Sequence, residues 1–369
     1  MTKAPDAEIG QIFIELTNLC NFNCTFCPND KMTRARCSME PDLAKRLIDE
    51  IAEKKITERV AFLLMGEPLL YPKIFEILEY AAKKGIKITL STNGLLLSPE
   101  NIDRLLRIPL EILQISLQTP TAESFQMRRG NQNVTYKRYM DGIRDIIMKK
   151  TQTPGQTRLS ILSMDTRFSI EQLLLHGMPS MGAAINYDET AKVINELASI
   201  ALKAQQPSVI PKADLFSPAA RVKYLLKRVF FGTYKIRVSK RVEFVFGGLH
   251  DWGNIIGSRR IIPAAFGSCN ALVDQFAVLS NGDYSLCCKD FNGELVIGNA
   301  KRQSLSDVLN GELANSIRKD FRSHRLRFKR CRVCRGGANI FELGLKTVVS
   351  SIIYGTPFIL RPIKRFLTR

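Results

Sequence analysis

Residues 12–28 of the chain read IFIELTNLCNFNCTFCP. A short, strand-like apolar run leads into Cys20, Cys24 and Cys27, which are spaced C-x3-C-x2-C. Four cysteine thiolates complete a four-iron cluster, so three thiolates leave one iron open to an outside ligand. An open iron can bind and reduce a small molecule, whereas a fully ligated one mainly carries electrons. The stretch therefore predicts a strand followed by a reactive iron–sulfur site.

Zinc is the competing interpretation of these three cysteines. A structural zinc site takes four ligands, usually Cys or His. None of the chain's histidines is close in sequence to the triplet, and Cys37 is the candidate for a fourth thiol. Under either interpretation the spacing is typical of a metal site in a reduced compartment.

The composition is that of a globular protein with reduced thiols. At 369 residues, 45% hydrophobic and 24% charged, the chain is long enough for two domains. Its nine cysteines, an odd number lying in clusters, argue against a secreted disulfide framework. The N-terminal residues lack the apolar core of a signal peptide, and no apolar run approaches the ~20 residues of a membrane span. We expect a cytoplasmic protein.

The formal net charge of +19 is unevenly distributed along the chain. Lys and Arg are concentrated in residues 221–241, 318–335 and 343–369. One interpretation is a solvated basic face. The other is attraction to an anionic partner, namely the inner face of a membrane, a phosphorylated or nucleotide-linked substrate, or RNA. Nucleic acid is disfavoured because the basic stretches lack interleaved stacking aromatics.

Short apolar runs alternate with amphipathic stretches in the first half of the chain. The predicted strands are 12–16, 60–64, 86–91, 113–117 and 159–162, and the predicted helices are 41–54, 72–84, 99–106 and 136–150. This alternation implies βαβ units and a parallel sheet. A sixth strand is expected within 163–247, although the pattern there does not place it.

Polar motifs follow the predicted strands at their carboxyl ends. The second strand is followed by MGEP at 65–68, the third by STNG at 91–94, and the fourth by SLQ at 116–118 and RRG at 128–130. Glycine allows close backbone approach, and carbonyl and carboxylate oxygens accept hydrogen bonds from an ammonium group. Together with the cysteine triplet, these motifs resemble those of the radical S-adenosylmethionine (SAM) enzymes.

This resemblance implies a fold, cofactors and site residues. It implies an α/β fold with a partial (β/α)6 TIM-like barrel, in which a [4Fe–4S] cluster on the cysteine triplet binds SAM through its open iron. A reductant such as flavodoxin or ferredoxin would supply the electron that cleaves SAM to a 5′-deoxyadenosyl radical. The implied SAM contacts are Phe26, Gly66, Glu67, Pro68, Ser91, Thr92, Asn93, Ser116, Gln118 and Arg129. Gln118 departs from the family pattern, which carries Asp there, and Arg128 is the candidate for acting close to substrate.

A second group of cysteines lies towards the end of the chain. Cys269, Cys287, Cys331 and Cys334 follow the pattern C-x17-C…C-x2-C, after the sequence HDWGNI. The intervals resemble the SPASM/twitch extension of radical SAM enzymes, and in particular its aminocyclitol dehydrogenase branch. The resemblance implies a small C-terminal α+β domain with one fully ligated auxiliary [4Fe–4S] cluster. A structural zinc site is the alternative for these four cysteines.

The turn sequence Asn281-Gly282 bears on which of two adjacent thiols binds the cluster. It predicts a hairpin with Cys287 on its second strand. Cys288 would then face the opposite side of that strand. Cys288 and Cys37 are the two spare thiols, and each is either a hydrogen-atom donor or a small buried side chain.

These observations predict hydrogen abstraction from a small-molecule substrate, carbohydrate-like or linked to a lipid or nucleotide, and anionic in view of the basic surface. Dehydrogenation would pass an electron to the auxiliary cluster, and epimerisation would use a thiol donor. A ribosomal peptide maturase is the second hypothesis, disfavoured because few residues precede the first strand. A non-catalytic iron–sulfur or zinc scaffold is the third.

The predicted domains are a radical SAM barrel at 1–247, with a basic insertion within 163–247, an auxiliary-cluster domain at 248–342 and a basic amphipathic tail at 343–369. The tail combines apolar clusters with a basic end. It is either an interfacial helix on an anionic membrane or a helix docked on the barrel.

Overall fold

The computed structural model describes residues 9–130, 134–165, 187–205, 222–223, 226, 233–248, 252–256 and 260–355. Its strands are β1 (Gln11–Ile14), β2 (Arg59–Phe62), β3 (Lys87–Thr92), β4 (Ile112–Gln118), β5 (Arg158–Asp165), β6 (Thr233–Arg237), β7 (Val242–Gly248), β8 (Gln275–Val278), β9 (Asp283–Ser285) and β10 (Val296–Asn299). Its α-helices are α1 (Pro41–Glu53), α2 (Ile74–Lys83), α3 (Pro99–Arg107), α4 (Ala122–Phe125), α5 (Tyr136–Gln152), α6 (Tyr187–Gln205), α7 (Leu305–Asn310), α8 (Glu312–Arg322), α9 (Lys329–Cys334) and α10 (Ile340–Gly355). The five strands and four helices predicted from the sequence are confirmed, with ends that differ by a few residues.

The strands form one mixed sheet in the order β10-β9-β8-β1-β2-β3-β4-β5-β7-β6. All pairs from β8 through β7 in this order are parallel, and the pairs at both ends of the sheet are antiparallel. The predicted α/β fold with a partial (β/α)6 barrel is confirmed. Its sixth strand is β7, which the sequence pattern did not place.

The core of the barrel lies where the helices cover the sheet. In α1, Leu43, Leu47 and Ile51 recur every four residues and are buried, as expected for the apolar face of a surface helix. The strands contribute fully buried side chains such as Ile12 in β1 and Val60 in β2. Parallel strands covered on both faces are apolar throughout, which is why these runs were recognisable in the sequence.

Part of the basic run at 222–241 is an edge strand. β6 pairs antiparallel with β7, and its residues alternate between exposed and partly buried. The two interpretations of this run are a solvated basic face and attraction to an anionic partner. Residues 233–248 form a hairpin at the edge of the sheet. The structure also describes α6 and residues 163–165, 222–223 and 226 of the predicted insertion. The rest of the insertion lies outside the described residues.

The C-terminal region continues the sheet of the barrel. β8 pairs parallel with β1 over four residue pairs, from Gln11 opposite Gln275 to Ile14 opposite Val278. The predicted hairpin is present, since β8 and β9 are antiparallel and Gly282 adopts the positive φ of 91° in the turn. The prediction that Cys287 lies on the second strand is wrong, because β9 ends at Ser285.

A buried ion pair fastens these two regions to each other. Glu15, which directly follows β1, pairs with Arg34 at 2.5 Å, and the Glu15 side chain is fully inaccessible. The same carboxylate accepts from the backbone N–H of Met65 after β2 and of Ser280 after β8. Arg34 also donates to the Phe291 carbonyl at 2.7 Å. Three loops at the carboxyl edge of the sheet are therefore held by one carboxylate.

The tail begins as a helix docked on the C-terminal region. α10 runs from Ile340 to Gly355 and packs against α8, with Lys346 and Ser350 buried. Val348 and Ile352 are exposed on its other side. Across the described ranges, none of the helices has the length and apolar character needed to cross a bilayer. Residues 356–369 of the predicted tail lie outside the described residues, and the boundaries proposed at 247 and 342 stay predictions.

We expect Arg34→Met to destabilise the apo protein by about 3 kcal/mol, because it leaves the buried Glu15 carboxylate without its ionic partner. Urea unfolding followed by circular dichroism measures the loss. The double variant Glu15→Met/Arg34→Met is the control, since it removes both charges and should recover most of the stability. Equal loss in the single and double variants would contradict the role of the pair.

Candidate active site

The loop that carries the first three cysteines follows β1 and rests on residues 126–130. Asn23 N–H donates to the Arg128 carbonyl at 3.1 Å, and Thr25 N–H donates to the Met127 carbonyl at 2.9 Å. The Cys27 N–H closes a turn onto the Cys24 carbonyl at 3.1 Å. This backbone pairing fixes the loop without using the thiols, which remain available as ligands.

The three thiols lie close enough to influence one another. Burial, together with the charge of neighbouring thiolates, raises the pKa of Cys24 to about 11 and of Cys27 to about 12. Burial likewise raises the pKa of Cys20, and Asn93 Nδ2 lies 3.8 Å from its sulfur. The positively charged iron–sulfide core of a cluster would relieve this mutual repulsion, because metal ligation replaces the thiol protons. The donor set of three clustered thiols fits a cluster with one open iron.

Arg128 supplies a buried positive charge beneath this loop. Its side chain is 1% exposed and its guanidinium lies 5.0 Å from the ring centroids of both Phe22 and Tyr139. It donates to Thr119 Oγ1 at 2.8 Å and to the carbonyls of Leu117 and Ser116 at the end of β4. Its charge favours the Cys24 thiolate. These contacts give Arg128 a positioning role under the cysteine loop, and its predicted action near substrate stays a prediction.

Gly66 and Glu67 organise the loop that follows β2. Gly66 adopts a φ of +78°, and a side chain there would collide with the carbonyl oxygens of Thr17 and Leu19. The Glu67 carboxylate is buried and accepts from Thr92 Oγ1 at 2.6 Å, Asn93 N–H at 2.6 Å and Leu69 N–H at 3.0 Å. Burial raises the pKa of Glu67. The carboxylate thus joins the loops after β2 and β3 to each other.

The remaining predicted SAM contacts lie on β3 and β4, with their loops, and beside the cysteines. Ser91 Oγ and Ser116 Oγ are 3.3 Å apart on adjacent strands. Gln118 ends β4 at a register shift with a φ of 45°, and Arg129 adopts a φ of 46°. Pro68 is buried at the start of a 3-10 turn, and Phe26 packs against Met164. The structure brings this set to one edge of the sheet, while their contact with SAM stays a prediction.

The four C-terminal cysteines line one cavity. Cys269, Cys287, Cys331 and Cys334 all border it. The other lining residues are Ala271, Leu286, Lys289, Leu295, Leu326, Arg330 and Arg335. Cys331 and Cys334 enter from α9, and Cys269 and Cys287 flank the β8–β9 hairpin. Four thiols around one cavity fit a fully ligated four-iron cluster.

Residues 252–254 connect the two cysteine sites. Trp252 packs against a buried apolar group of Met32, Met65 and Phe291, and Cys27 packs against the same group. The next residue, Gly253, approaches Cys334 so closely that a Cβ would lie 2.7 Å from its sulfur. Trp252 therefore lies against the surroundings of the first site, and the adjacent Gly253 lies against a cysteine of the second.

Hydrogen bonds from and to α9, the helix that bears Cys331 and Cys334, fix the backbone conformation of this connection. Trp252, Gly253 and Asn254 have φ values of 53°, 71° and 64°, a left-handed run that non-glycine residues adopt only under constraint. Arg330 donates to the Gly253 carbonyl at 2.8 Å and to the Trp252 carbonyl. Asn254 Nδ2 donates to the Val333 carbonyl at 2.8 Å.

The two spare thiols occupy different surroundings. Cys37 Sγ lies 3.3 Å from Ser280 Oγ, next to the Glu15–Arg34 pair. Cys288 Sγ donates to Gln275 Oε1 at 3.0 Å and does not border the described cavity. All nine cysteines of the chain are described and none forms a disulfide. The hydrogen-donor role of either thiol stays a prediction.

The arrangement was also compared with that of a single metal ion. A zinc ion holds its sulfur ligands at about 2.3 Å, so they must converge on one point. In the described ranges, no three His, Cys, Asp or Glu side chains converge in this way. The four C-terminal cysteines line a cavity.

Known protein families match both regions of the chain that carry the cysteine clusters. The radical SAM superfamily profile matches residues 14–162. The profile of an iron–sulfur cluster-binding domain, SPASM, matches residues 269–335. The chain contains a radical SAM domain and a SPASM domain. The cofactors of these domains are a [4Fe–4S] cluster, SAM and auxiliary iron–sulfur, as the resemblance implied.

Curated relatives match part of this chain. The AdoMet-dependent heme synthase of Methanosarcina barkeri is 33% identical over 162 residues, which cover 44% of each chain. The mycofactocin maturase MftC of Mycobacterium tuberculosis is 31% identical over 116 residues, 31% of this chain and 29% of that protein. The matched region therefore spans less than half the length of these relatives.

Solved structures share the fold over most of the chain. SuiB of Streptococcus suis, bound to the precursor peptide SuiA, has a TM-score of 0.53 at 19% identity and is covered over 72% of its length by 90% of this chain. BtrN in complex with AdoMet and 2-DOIA has a TM-score of 0.46 at 17% identity, with 86% of this chain and 88% of BtrN covered. At 19% identity, the likeness to SuiB shows a common fold and not a common substrate.

Several residues of the site were not singled out from the sequence. They are Glu15, Arg34, Tyr139, Trp252, Asn254, Lys289, Arg330 and Arg335. Glu15 carried a usable signal, since a single carboxylate in an otherwise apolar strand-like run predicts a buried partner. Arg330 and Arg335 flank the C-x2-C pair, but their direction towards the cavity depends on α9 and could not be read from spacing.

We expect about eight irons per chain in protein purified and reconstituted without oxygen, as two four-iron clusters require. We expect two double variants to retain about four irons per chain each, because each loses one cluster: Cys269→Ala/Cys287→Ala and Cys20→Ala/Cys24→Ala. Iron, acid-labile sulfide and zinc analysis measures this, with the spare-thiol variant Cys37→Ala as the control that keeps all eight. One zinc ion in place of four irons would contradict the assignment of the auxiliary site.

We expect Glu67→Gln to weaken SAM binding about tenfold, a loss of about 1.5 kcal/mol. The amide nitrogen of Gln must face either Asn93 N–H or Leu69 N–H, so one donor loses its acceptor and the loop after β3 shifts. Anaerobic calorimetry on the reconstituted protein gives the affinity. Glu79→Gln, at an exposed position of α2, is the matched control, and equal affinities for both variants would argue against the positioning role of Glu67.

Proposed function

We propose that this protein is a radical SAM enzyme that removes hydrogen from a small-molecule substrate and completes an oxidation with the help of its auxiliary cluster. The observation that supports the proposal most directly is the connection at Trp252 and Gly253, which contact the surroundings of the first and second cysteine sites in turn. An electron acceptor joined to the surroundings of the first site by two consecutive residues suits a net oxidation.

The chain's residues divide the work between binding and positioning. When bound, the first cluster and SAM supply a 5′-deoxyadenosyl radical that abstracts a hydrogen atom from the substrate. Glu67 and Gly66 shape the backbone of the SAM site, and Arg128 holds the cysteine loop against the end of β4. The Glu15–Arg34 pair keeps the loops after β1, β2 and β8 in register.

The substrate is proposed to be a small carbohydrate-like or phosphate-linked metabolite. The support is the net charge of +19, which favours an anionic substrate. The product is proposed to be a ketone or a related oxidised group, with epimerisation through Cys37 as the alternative outcome. The support for this alternative is the position of the Cys37 thiol. It lies beside the Glu15–Arg34 pair, at the edge of the sheet that carries the first cysteine site.

Peptide maturation is the second candidate function. It is supported by the local identity to the maturase MftC and by the SuiB fold, whose bound ligand is a precursor peptide. Under this proposal the same radical site would act on a peptide side chain. A peptide that stimulates SAM cleavage more than sugars or nucleotide-linked sugars do would favour it over the leading proposal.

Catalysis itself is tested by SAM cleavage. We expect the reconstituted protein with dithionite and SAM to form methionine and 5′-deoxyadenosine, detected by liquid chromatography and mass spectrometry. Cys24→Ala should form neither, because the cluster loses one of its three ligands. Absence of 5′-deoxyadenosine from the wild-type protein with both clusters loaded would indicate a non-catalytic scaffold instead.

Oxidation and epimerisation are separated by running the reaction in D2O with any substrate that stimulates SAM cleavage. Oxidation should give a product lacking a pair of hydrogens, with the same outcome in Cys37→Ser. Epimerisation should give a product of unchanged composition that carries deuterium from the exchanged thiol. Deuterium incorporation that disappears in Cys37→Ser would overturn the proposed oxidation.

A further inference from the structure

Basic side chains surround the cavity of the four C-terminal cysteines. Lys289, Arg330 and Arg335 line it, and its lining contains no carboxylate. A four-iron cluster with four thiolates is an anion, and its reduction adds one more negative charge. The balance of nearby charge and the hydrogen bonds to sulfur are what set the reduction potential of such a cluster.

The three basic residues are engaged differently. Arg330 donates to the carbonyls of Trp252 and Gly253 and so stabilises the connection between the two cysteine sites. Lys289 favours the thiolates of Cys287 and Cys288 by its charge. Arg335 lines the same cavity as Cys269 and favours the Cys269 thiolate by its charge.

Arg335 is buried at 9% exposure and directly follows Cys334. Burial disfavours its charge, yet the nearby Cys269 and Cys334 thiolates raise the pKa of Arg335 above its ordinary value. Within the described residues, no carboxylate forms an ion pair with it. A buried guanidinium without a counter-ion is costly, so the thiolates are the charge that compensates it.

Tyr354 of α10 holds the guanidinium in place. The Arg335 guanidinium carbon lies 5.0 Å from the Tyr354 ring centroid, within the range of a cation–π contact. Lys346 of α10 donates to the Gly336 carbonyl at 2.9 Å. This bond fixes α10 to the segment that directly follows Arg335.

We propose that Arg335, positioned by Tyr354, raises the reduction potential of the auxiliary cluster and thereby makes it the electron acceptor of the reaction. The inference rests on the proposed oxidation. There, loss of a hydrogen atom leaves a carbon radical on the substrate, and forming the C=O bond from its C–O–H group releases one electron and one proton. The electron goes to the auxiliary cluster and the proton to water. α10, which lies beyond the SPASM match, is then part of the redox site.

The test is a potentiometric titration of the reconstituted full-length protein followed by electron paramagnetic resonance. The auxiliary signal is the one that SAM does not alter. We expect the midpoint potential of this signal to fall in Arg335→Gln, to fall less in Arg335→Lys, and to stay at the wild-type value in Arg325→Gln. Arg325 is the matched control, because it loses the same charge from an exposed position in the same domain.

Iron and sulfide counts accompany each titration, so loss of the cluster is seen separately from a change in potential. If Arg335→Gln loads fewer irons than wild type, Arg335→Lys decides the question. A midpoint below that of wild type supports the proposal, and a wild-type midpoint with the cluster fully loaded overturns it.

The outcomes also separate this inference from the proposed function. A lowered potential in Arg335→Gln together with an epimerised wild-type product would leave the tuning by Arg335 intact and reject the oxidation. An oxidised wild-type product together with an unchanged potential would reject the tuning and leave the oxidation standing.

Discussion

A buried ion pair between Glu15 and Arg34 ties together the loops that follow β1, β2 and β8. These loops carry the first cysteine site, the SAM-site backbone and the entry to the C-terminal hairpin. A buried carboxylate is tolerated only when its charge and lone pairs are satisfied, and here both oxygens have partners from different loops. The geometry of the reactive edge depends on this one carboxylate, because displacing any of the three loops would leave it unsatisfied.

The continuity of the sheet has a related consequence. Because β8 pairs parallel with β1, the C-terminal domain is not a separate body joined by a linker but an extension of the barrel's own sheet. The left-handed segment at residues 252–254 adds a second attachment at the two cysteine sites. Two attachments on different elements restrict rotation of one site relative to the other. A fixed separation is what electron transfer between a substrate site and an auxiliary cluster requires.

Buried positive charge recurs at both cysteine sites, in different roles. Arg128 lies under the first loop, where it donates to backbone carbonyls and favours the Cys24 thiolate. Arg335 lines the cavity of the second site, where its charge favours the Cys269 thiolate. In each case the cost of burying a guanidinium is offset by aromatic faces, carbonyls or thiolates. The anionic clusters thus stabilise the cations that position their ligands.

The sequence by itself determined the parallel α/β barrel, the cysteine triplet and the four later cysteines, because strand and helix periodicities and metal-ligand spacings are local properties. It did not place β7, whose flanking basic run obscured the apolar pattern, nor the end of β9 before Cys287. It also did not reveal that Arg34 reaches Glu15, that Trp252 packs against the apolar group beside Cys27, or that Gly253 approaches Cys334. Those contacts join residues far apart in the chain, so only the tertiary structure decided them.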